Sequence, residues 1–540
     1  MFHHKKSPKY IAIIDLGSNS FNLIIARNFG LSRPVIKRFN ITVQLARYLT
    51  ADNILLPEGI ERCCNALAAI QEFISHFGND IEVRANATYT IRSTKNQEEL
   101  LTAINKVFPH KIKILTGIEE ANTIFKGIAL SNPITQPFIA VDIGGGSTEM
   151  ILSNNLEPEY LTSNNLGCVS FSQKFFSDGK FNAELFNQAY KAACQIFTKE
   201  LDNPIVHKYL NIAHAVGSSG TIKNTILTVK SNFKDAAKRI NHLLAHPEPE
   251  NPLYDAKLLS SLQQQIKEFA DKFGNPEHLT AQNLEYLVQM VLQHNSCAQL
   301  CYTGFDPSGR EVLAGGLSIL RALFNVFKFQ KLTYSHSALR EGVLFGDQES
   351  DIFKHIRLFT VHNLRRKYQI EHKLFNSFYQ QALSLVQQDK LLFETYNKQD
   401  IANYCTFMLV GSAISDDDFF AHSGYIVKNS NLYGFSDAEI AKIHQFIDCL
   451  NNDCAQADQA TQQLAVLLRI TYNFTFSNLP KLIKQGKVKL AFTYQDNHIE
   501  TINLYLLDEQ VQNAPYIITN VKRLNKMLEK QSIQINVLNG

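Results

Sequence analysis

The sequence predicts an α/β protein of two alike lobes, followed by an all-α domain and a small α+β segment, and three observations carry that prediction. An apolar strand, an aspartate, a Gly/Ser-rich turn and a second strand occur twice, as IAIIDLGSNSFNLIIA from Ile11 to Ala26 and as FIAVDIGGGSTEMIL from Phe138 to Leu152. Around both copies, strand-like runs alternate with amphipathic stretches. After Asp347 the apolar residues switch to spacings of three and four, as in NSFYQQALSLVQQ and TQQLAVLLRITYNF, which is the helical period.

In the first lobe, residues 11–15, 21–27 and 35–40 read as strands, then 57–77 as a helix, 81–86 as a strand, 96–107 as a helix and 112–115 as a strand. The segment ILTGIEEANTIFKGI opens a further helix after Gly117. Ile118, Ala121, Ile124, Phe125 and Ile128 fall on one face of it. Glu119 lies opposite that face and Glu120 at its margin. The second lobe opens at Pro137 with the repeated hairpin and continues through a helix near 182–200 and a strand and turn at 213–223. A polar, proline-bearing stretch near 229–280 reads as a helical insertion, and the lobe resumes with REVLAGGLSILRALF at 310–324 and KLTYSHSALREGVLFG at 331–346. The tail, beginning VKLAFTYQDNHIETINLYLL, alternates like a hairpin. These shifts place the expected domains at 1–128, 129–347, 348–485 and 486–540.

Composition narrows the function classes. With 540 residues and 45% hydrophobic content the chain has material for several ordinary cores. Its net charge is +3, so no global field advertises a nucleic-acid partner. The basic start MFHHKKSPK leads into a strand rather than a signal-type core, and no apolar run approaches the roughly 20 residues of a membrane span. Nine scattered cysteines, two of them adjacent at Cys63 and Cys64, suit reduced thiols. His294, Cys297 and Cys301 lack the second pair that a structural zinc site needs. The expected setting is cytoplasmic, with peripheral membrane association left open.

A strand that ends in an acid and turns through Gly and Ser leaves backbone N–H groups free for an anion. Two such turns, facing one another, would make a phosphate cleft. Further stretches follow in order: DLGSNSFNLIIAR at 15–27, Thr90-Ile91-Arg92, TGIEEA at 116–121, DIGGGSTEM at 142–150, LGCVSF at 166–171, GSSGTIK at 217–223 and ALREGVLF at 338–345. In these residues the chain resembles the exopolyphosphatase and guanosine pentaphosphate phosphohydrolase family in its long form, closest to the exopolyphosphatase branch. The resemblance implies two ribonuclease-H-like domains of the actin-like ATPase superfamily, a degenerate His-Asp-type helical domain, a homodimer, and hydrolysis of a phosphoanhydride with a divalent cation, usually Mg2+.

Carried onto this chain, the resemblance makes Glu120 the base that activates water and directs Arg92 at phosphate. Asp142 and Glu149, at the two ends of one turn, are the expected metal ligands, and Asp15 can add a third carboxylate. Magnesium takes few carboxylates and keeps waters and phosphate oxygens, which fits so sparse a set. Ser18, Asn19 and Ser20 on one side, and Gly144, Gly145, Gly146, Ser147 and Thr148 on the other, are expected to bind phosphate. Ser218, Ser219, Gly220 and Lys223 are expected to line the second lobe's wall. A basic track for a long polyanion has candidates in Lys37, Arg38, Arg47, Lys223, Arg340 and the run Arg365, Arg366 and Lys367.

Some positions depart from the family pattern. Met408 and Leu409 stand where a His-Glu pair is expected, and Asp416 and Phe420 replace histidines, so a second metal centre in the helical domain is not expected. Asn122 replaces an arginine. The substrate expected first is inorganic polyphosphate; guanosine pentaphosphate is the alternative in the same reaction class. An actin-like nucleotide switch or a kinase-like module is the alternative from another class.

Overall fold

The computed structural model describes residues 8–30, 33–177, 179–180, 182–210, 214–229, 278–294, 307–346, 350–415, 418–451, 453–475, 485–495, 498–507 and 534–539, with a few isolated positions between. They form two compact units, residues 1–354 and 355–540. Most of the predicted insertion near 229–280 lies outside the described residues, as do Cys297, Cys301, Asp416 and Asp417.

The first unit holds two sheets of the same plan. In the first, β1 (Tyr10–Leu16) pairs antiparallel with β2 (Ser20–Arg27), β2 antiparallel with β3 (Val35–Thr42), and β1 parallel with β4 (Ile81–Ala87), which pairs parallel with β5 (Ile112–Ile114). The order is β3-β2-β1-β4-β5. In the second, β6 (Phe138–Ile143), β7 (Thr148–Asn154) and β8 (Glu157–Asn164) form the antiparallel run. The parallel neighbours of β6 are β9 (His214–Ser218) and then β11 (Lys331–Tyr334), with the short antiparallel β10 (His278–Thr280) at the edge. Each lobe is thus a ribonuclease-H-like domain, and the repeated hairpin of the sequence is the β1-β2 or β6-β7 unit at its centre.

Local chemistry explains the elements. Strands β1 and β6 run nearly unbroken in apolar residues because both faces are covered. Helix α1 (Pro57–Ser75) starts with proline at its first position, where the missing N–H costs nothing, and buries Ile60, Cys63, Leu67, Ile70 and Ile74 along one stripe. Helix α2 (Tyr89–Ser93) adds Ile91 to the same core, and helix α3 (Gln97–Val107) adds Leu100 and Ile104. Edge strand β8 carries EPEYLTSN, too polar to have been read as a strand.

Helix α4 (Gly117–Ser131) follows β5 of the first sheet, yet it packs on the second. Ala121, Ile124, Phe125 and Ile128 share a core with Phe138, Ala140, Ile151 and Val216. Ile118, predicted on that apolar face, is instead exposed. Helix Leu339–Phe345 crosses α4 at backbone contact: a Cβ on Gly127 would lie 1.9 Å from the Ala338 carbonyl oxygen, and one on Gly342 would lie 1.9 Å from that of Thr123. Both glycines are required there by close approach.

The second unit is helical, with helices His372–Val386, Lys398–Leu409, Phe419–Lys428, Asp437–Leu450 and Gln459–Thr475. Its three-stranded sheet, β12 (Val488–Gln495), β13 (His498–Leu506) and β14 (Gln534–Asn539), contributes Ile502, Leu504, Leu506 and Ile535 to the helices' own core. Met408 and Leu409 are fully buried in that core, as apolar residues would be. Among the described residues no helix is long and apolar enough to cross a membrane.

Candidate active site

The two Gly/Ser turns face each other. A Cβ on Gly145 would come within 3.0 Å of the Ser18 Cβ and 3.1 Å of the Asn19 amide nitrogen, so the loops touch and only glycine fits between them. Both turns are closed alike, Gly17 N–H donating to Ser20 O at 3.2 Å and Gly144 N–H to Ser147 O at 2.9 Å. Each is also held from behind through its carbonyls. Ser18 O and Asn19 O accept from the amides of Val43, Gln44 and Ala46, whereas Gly144 O and Gly145 O accept from Cys168, Val169 and Ser170 at the start of α5 (Cys168–Phe175). Among the described residues the amides of Ser18, Asn19 and Gly145, which line the gap, have no backbone acceptor, which leaves them available to an anion.

Between the loops opens a cleft of about 700 Å³. Of the predicted site residues, Ser18, Asn19, Ser20, Gly144, Gly145, Ser147, Ser219, Gly220, Lys223, Glu120 and Asp142 line it, as does Asp15. Strand β9 ends at Ser218, Ser219 takes a left-handed backbone (φ 95°), and residues 220–229 are helical, so a helix starts at the cleft wall. The other predicted residues stand behind the wall. Ser218 donates to the Asp142 carboxylate, Thr148 donates to Leu166 O at 2.7 Å, and Gly146 is pressed against the Tyr89 ring. Glu149 is buried, accepting from Ser163 at 2.7 Å, and Arg92 is bound to Glu120.

Glu119 and Glu120 have opposite fates. Glu119 closes a capping box with Thr116 and pairs with Lys113 at 3.0 Å; its hydrogen bond from the Thr116 amide, aided by Lys113, draws its pKa down to about 2. Glu120 turns inward, 6% exposed, with its Oε2 2.7 Å from an Arg92 guanidinium nitrogen. Burial pushes its carboxyl up to about 7, Arg92 opposes the shift, and Asp15 and Asp142 add to it.

The acids of the two hairpins are related by register. Asp15 sits opposite Asn22 across β1-β2, and Asp142 opposite Glu149 across β6-β7, so each pair shares a sheet face. Burial raises Asp15 to about 6, with Arg340 and Asn22 in opposition, and it raises Asp142 against Ser218 and Arg340. Glu149 is raised well above the carboxylate range by burial and by its neighbours Glu120 and Asp142. Four carboxylates thus converge where their charge is poorly solvated.

Asn22, Asn40, Thr42, Thr88, Tyr334 and His336 also line the cleft and escaped the sequence reading. The alternation of β2 and β3 carried the signal for the first three, since Asn22, Asn40 and Thr42 lie on one face. Nothing local marked Tyr334 and His336. The basic candidates divide: Lys223 and Arg340 line the cleft, whereas Arg38 pairs with Glu341 at 3.2 Å and Arg47 pairs with Glu311. Arg365 and Lys367, in the second unit, lie over the Phe375 and Tyr368 rings.

For a divalent cation the donor chemistry fits. Asp142 offers a hard oxygen at the cleft, Glu149 stands behind it on the same sheet face, and the Asn19 amide oxygen, buried beside the cleft, has no hydrogen-bond partner. No group of three or more His, Cys, Asp or Glu side chains among the described residues is arranged to hold a metal by itself. The set is one that substrate oxygens and water would have to complete.

Comparison with known proteins finds relatives along most of the chain. The profile of the Ppx/GppA phosphatase family matches residues 24–246 and 252–351, and that of Ppx/GppA phosphatase domain III matches residues 356–503. A Haemophilus influenzae protein named "Putative exopolyphosphatase" is 33% identical over 357 residues, 66% of this chain and 97% of its own length. A Pseudoalteromonas translucida protein named guanosine-5'-triphosphate,3'-diphosphate pyrophosphatase is 26% identical over 541 residues, 97% of this chain and 98% of its own. Among solved structures, an exopolyphosphatase from Cytophaga hutchinsonii aligns with a TM-score of 0.48 and 18% identity, over 62% of this chain and 96% of that one. With two profiles in sequence and relatives matched nearly end to end, the chain belongs to the Ppx/GppA phosphatase family.

Proposed function

We propose that the protein is an exopolyphosphatase, which removes terminal orthophosphate from inorganic polyphosphate with Glu120 as general base. The observation that carries this is the place of Glu120: a buried carboxyl raised to about 7, at the wall of a cleft whose other walls are two anion-binding loops. A base of that strength can take a proton from water near neutral pH. The loose transition state of phosphoryl transfer leaves the protein mainly positioning and electrostatics to supply. Unpaired loop amides and the hydroxyls of Ser18, Ser20 and Ser147 would hold the terminal phosphate, and Arg92 would fix the Glu120 carboxylate. Asp142 and Glu149 would hold Mg2+, which supplies charge neutralisation on the phosphate oxygens when bound.

Guanosine pentaphosphate is a second reading, favoured by one observation besides the named relatives. Tyr334 and His336, whose rings meet edge to face at 4.9 Å, both line the cleft and offer an aromatic surface to a purine.

Phosphate release from long polyphosphate, guanosine pentaphosphate and ATP, with wild type and Glu120→Gln, tests the proposal. Release from polyphosphate that is lost in Glu120→Gln, while binding persists, is the expected result. Undiminished hydrolysis by Glu120→Gln would reject the base. A preference for guanosine pentaphosphate would select the second reading, and turnover confined to ATP would select the switch or kinase class.

A further inference from the structure

Arg92 is directed at phosphate by the family resemblance, yet its guanidinium is committed elsewhere. It donates to Glu120 Oε2 at 2.7 Å and to Leu115 O at 2.8 Å, lies over the Tyr89 ring, and does not line the cleft. A polyanion entering among four carboxylates needs a cation that is not already spent. Arg340 has the required placement. It lines the cleft, and it interacts electrostatically with Asp15 of the first loop and Asp142 of the second, so it is felt from both sides of the gap. Among the described residues its guanidinium forms no ion pair and no hydrogen bond, whereas its neighbour Glu341 is buried, receiving Ala338 N–H at 3.1 Å and pairing with Arg38.

The backbone under Arg340 is fixed. It occupies the first turn of helix Leu339–Phe345, which is locked to α4 at the Gly127 and Gly342 contacts, and α4 carries Glu120 in its own first turn. Two helices crossing without room for a methyl group therefore set the separation of Glu120 from Arg340. The geometry points to Arg340 as the residue that grips the terminal phosphate, its planar fork meeting two phosphate oxygens between the loops while Arg92 serves only to hold Glu120. This rests on the phosphoanhydride reading of the cleft. It assigns the transferring group's cation to a residue from the far end of the lobe, 220 positions along the chain from the base.

The test combines binding and turnover. Calorimetric titration of magnesium tripolyphosphate into Glu120→Gln and into Glu120→Gln/Arg340→Ala needs no hydrolysis, and the second variant should bind about 10- to 100-fold more weakly, as loss of a charge-assisted pair to phosphate predicts. In the otherwise wild-type background, Arg340→Ala should lose a similar factor in kcat/KM on polyphosphate, Arg340→Lys should lose less, and millimolar guanidinium ion should restore part of the Arg340→Ala activity. A merely structural arginine would not be rescued in that way. Melting curves of all variants identify any that fail to fold, and Arg340→Lys keeps the cation if alanine does not. Equal tripolyphosphate affinity with and without Arg340 would overturn the assignment. A wild type that releases no phosphate would instead remove the hydrolase reading, and the titration would still decide whether Arg340 binds the anion.

Discussion

Replacing Glu120 by glutamine should make the protein more stable, and the gain should depend on pH. In the unfolded chain this carboxyl titrates near 4.5, whereas in the folded one burial holds it at about 7. Between those values the folded state binds more protons than the unfolded state, so stability falls as pH rises from 4.5 through 7. The displacement corresponds to about 3 kcal/mol at about 1.4 kcal/mol per pH unit. Glutamine mimics the protonated acid and escapes that loss. Taking about 2.1 cal/mol/K per residue over residues 1–354, the variant should melt about 4 °C above wild type at pH 8. At pH 4 the two should nearly coincide, because the acid is then protonated in the folded state and mostly so in the unfolded one. Scanning calorimetry of the full chain at a series of pH values measures this directly. A difference that does not grow between pH 4 and pH 8 would refute the electrostatic account of the cleft.

Removing the guanidinium that holds Glu120, in Arg92→Ala, should move the acid limb of kcat/KM upward by about 1 to 2 pH units, since a charge-assisted hydrogen bond to the carboxylate is lost; a pH–rate profile for both proteins checks the sign. Gly145→Val should separate the touching loops and lower phosphate release by about 10²-fold, the scale at which a 1 Å misplacement acts, with the melting temperature as control. Gly127→Ala and Gly342→Ala each force a methyl group into a backbone carbonyl and should destabilise the first unit by about 1–3 kcal/mol, read by urea titration. Chelation of divalent cations should stop turnover, and Mg2+ should restore it. Activity retained in chelator would remove Asp142 and Glu149 as ligands.

The central hairpins were legible because their information is local. Short, nearly continuous apolar runs, an acid at the strand end and Gly/Ser turns announce β1-β2 and β6-β7 without any knowledge of partners. Helix α4 was equally plain, and its two consecutive glutamates could be separated by helical phase. What the phase could not reveal is that this helix leaves one sheet to bury its face on the other, which exposes Ile118 and points Glu120 at a gap between lobes. Arg92 had no sequence signal for its bond to Glu120, which joins two elements through the end of a third. Tyr334 and Arg340 reach the cleft only because β11 adds to the far side of the second sheet, a pairing made by long-range packing. Strand β8 was hidden by its edge position, where no side chain is fully buried and the alternation is diluted.

The register of the two hairpins carries one more lesson. Asp15 is opposed by the neutral Asn22, but its counterpart Asp142 is opposed by Glu149. A motif that occurs twice therefore no longer carries the same acids in its two copies: the second holds two carboxylates, whereas the first holds one beside amides and hydroxyls. The pseudo-symmetry of the cradle is broken by a single side chain in each hairpin, which gives an otherwise even-handed pair of loops a polarity.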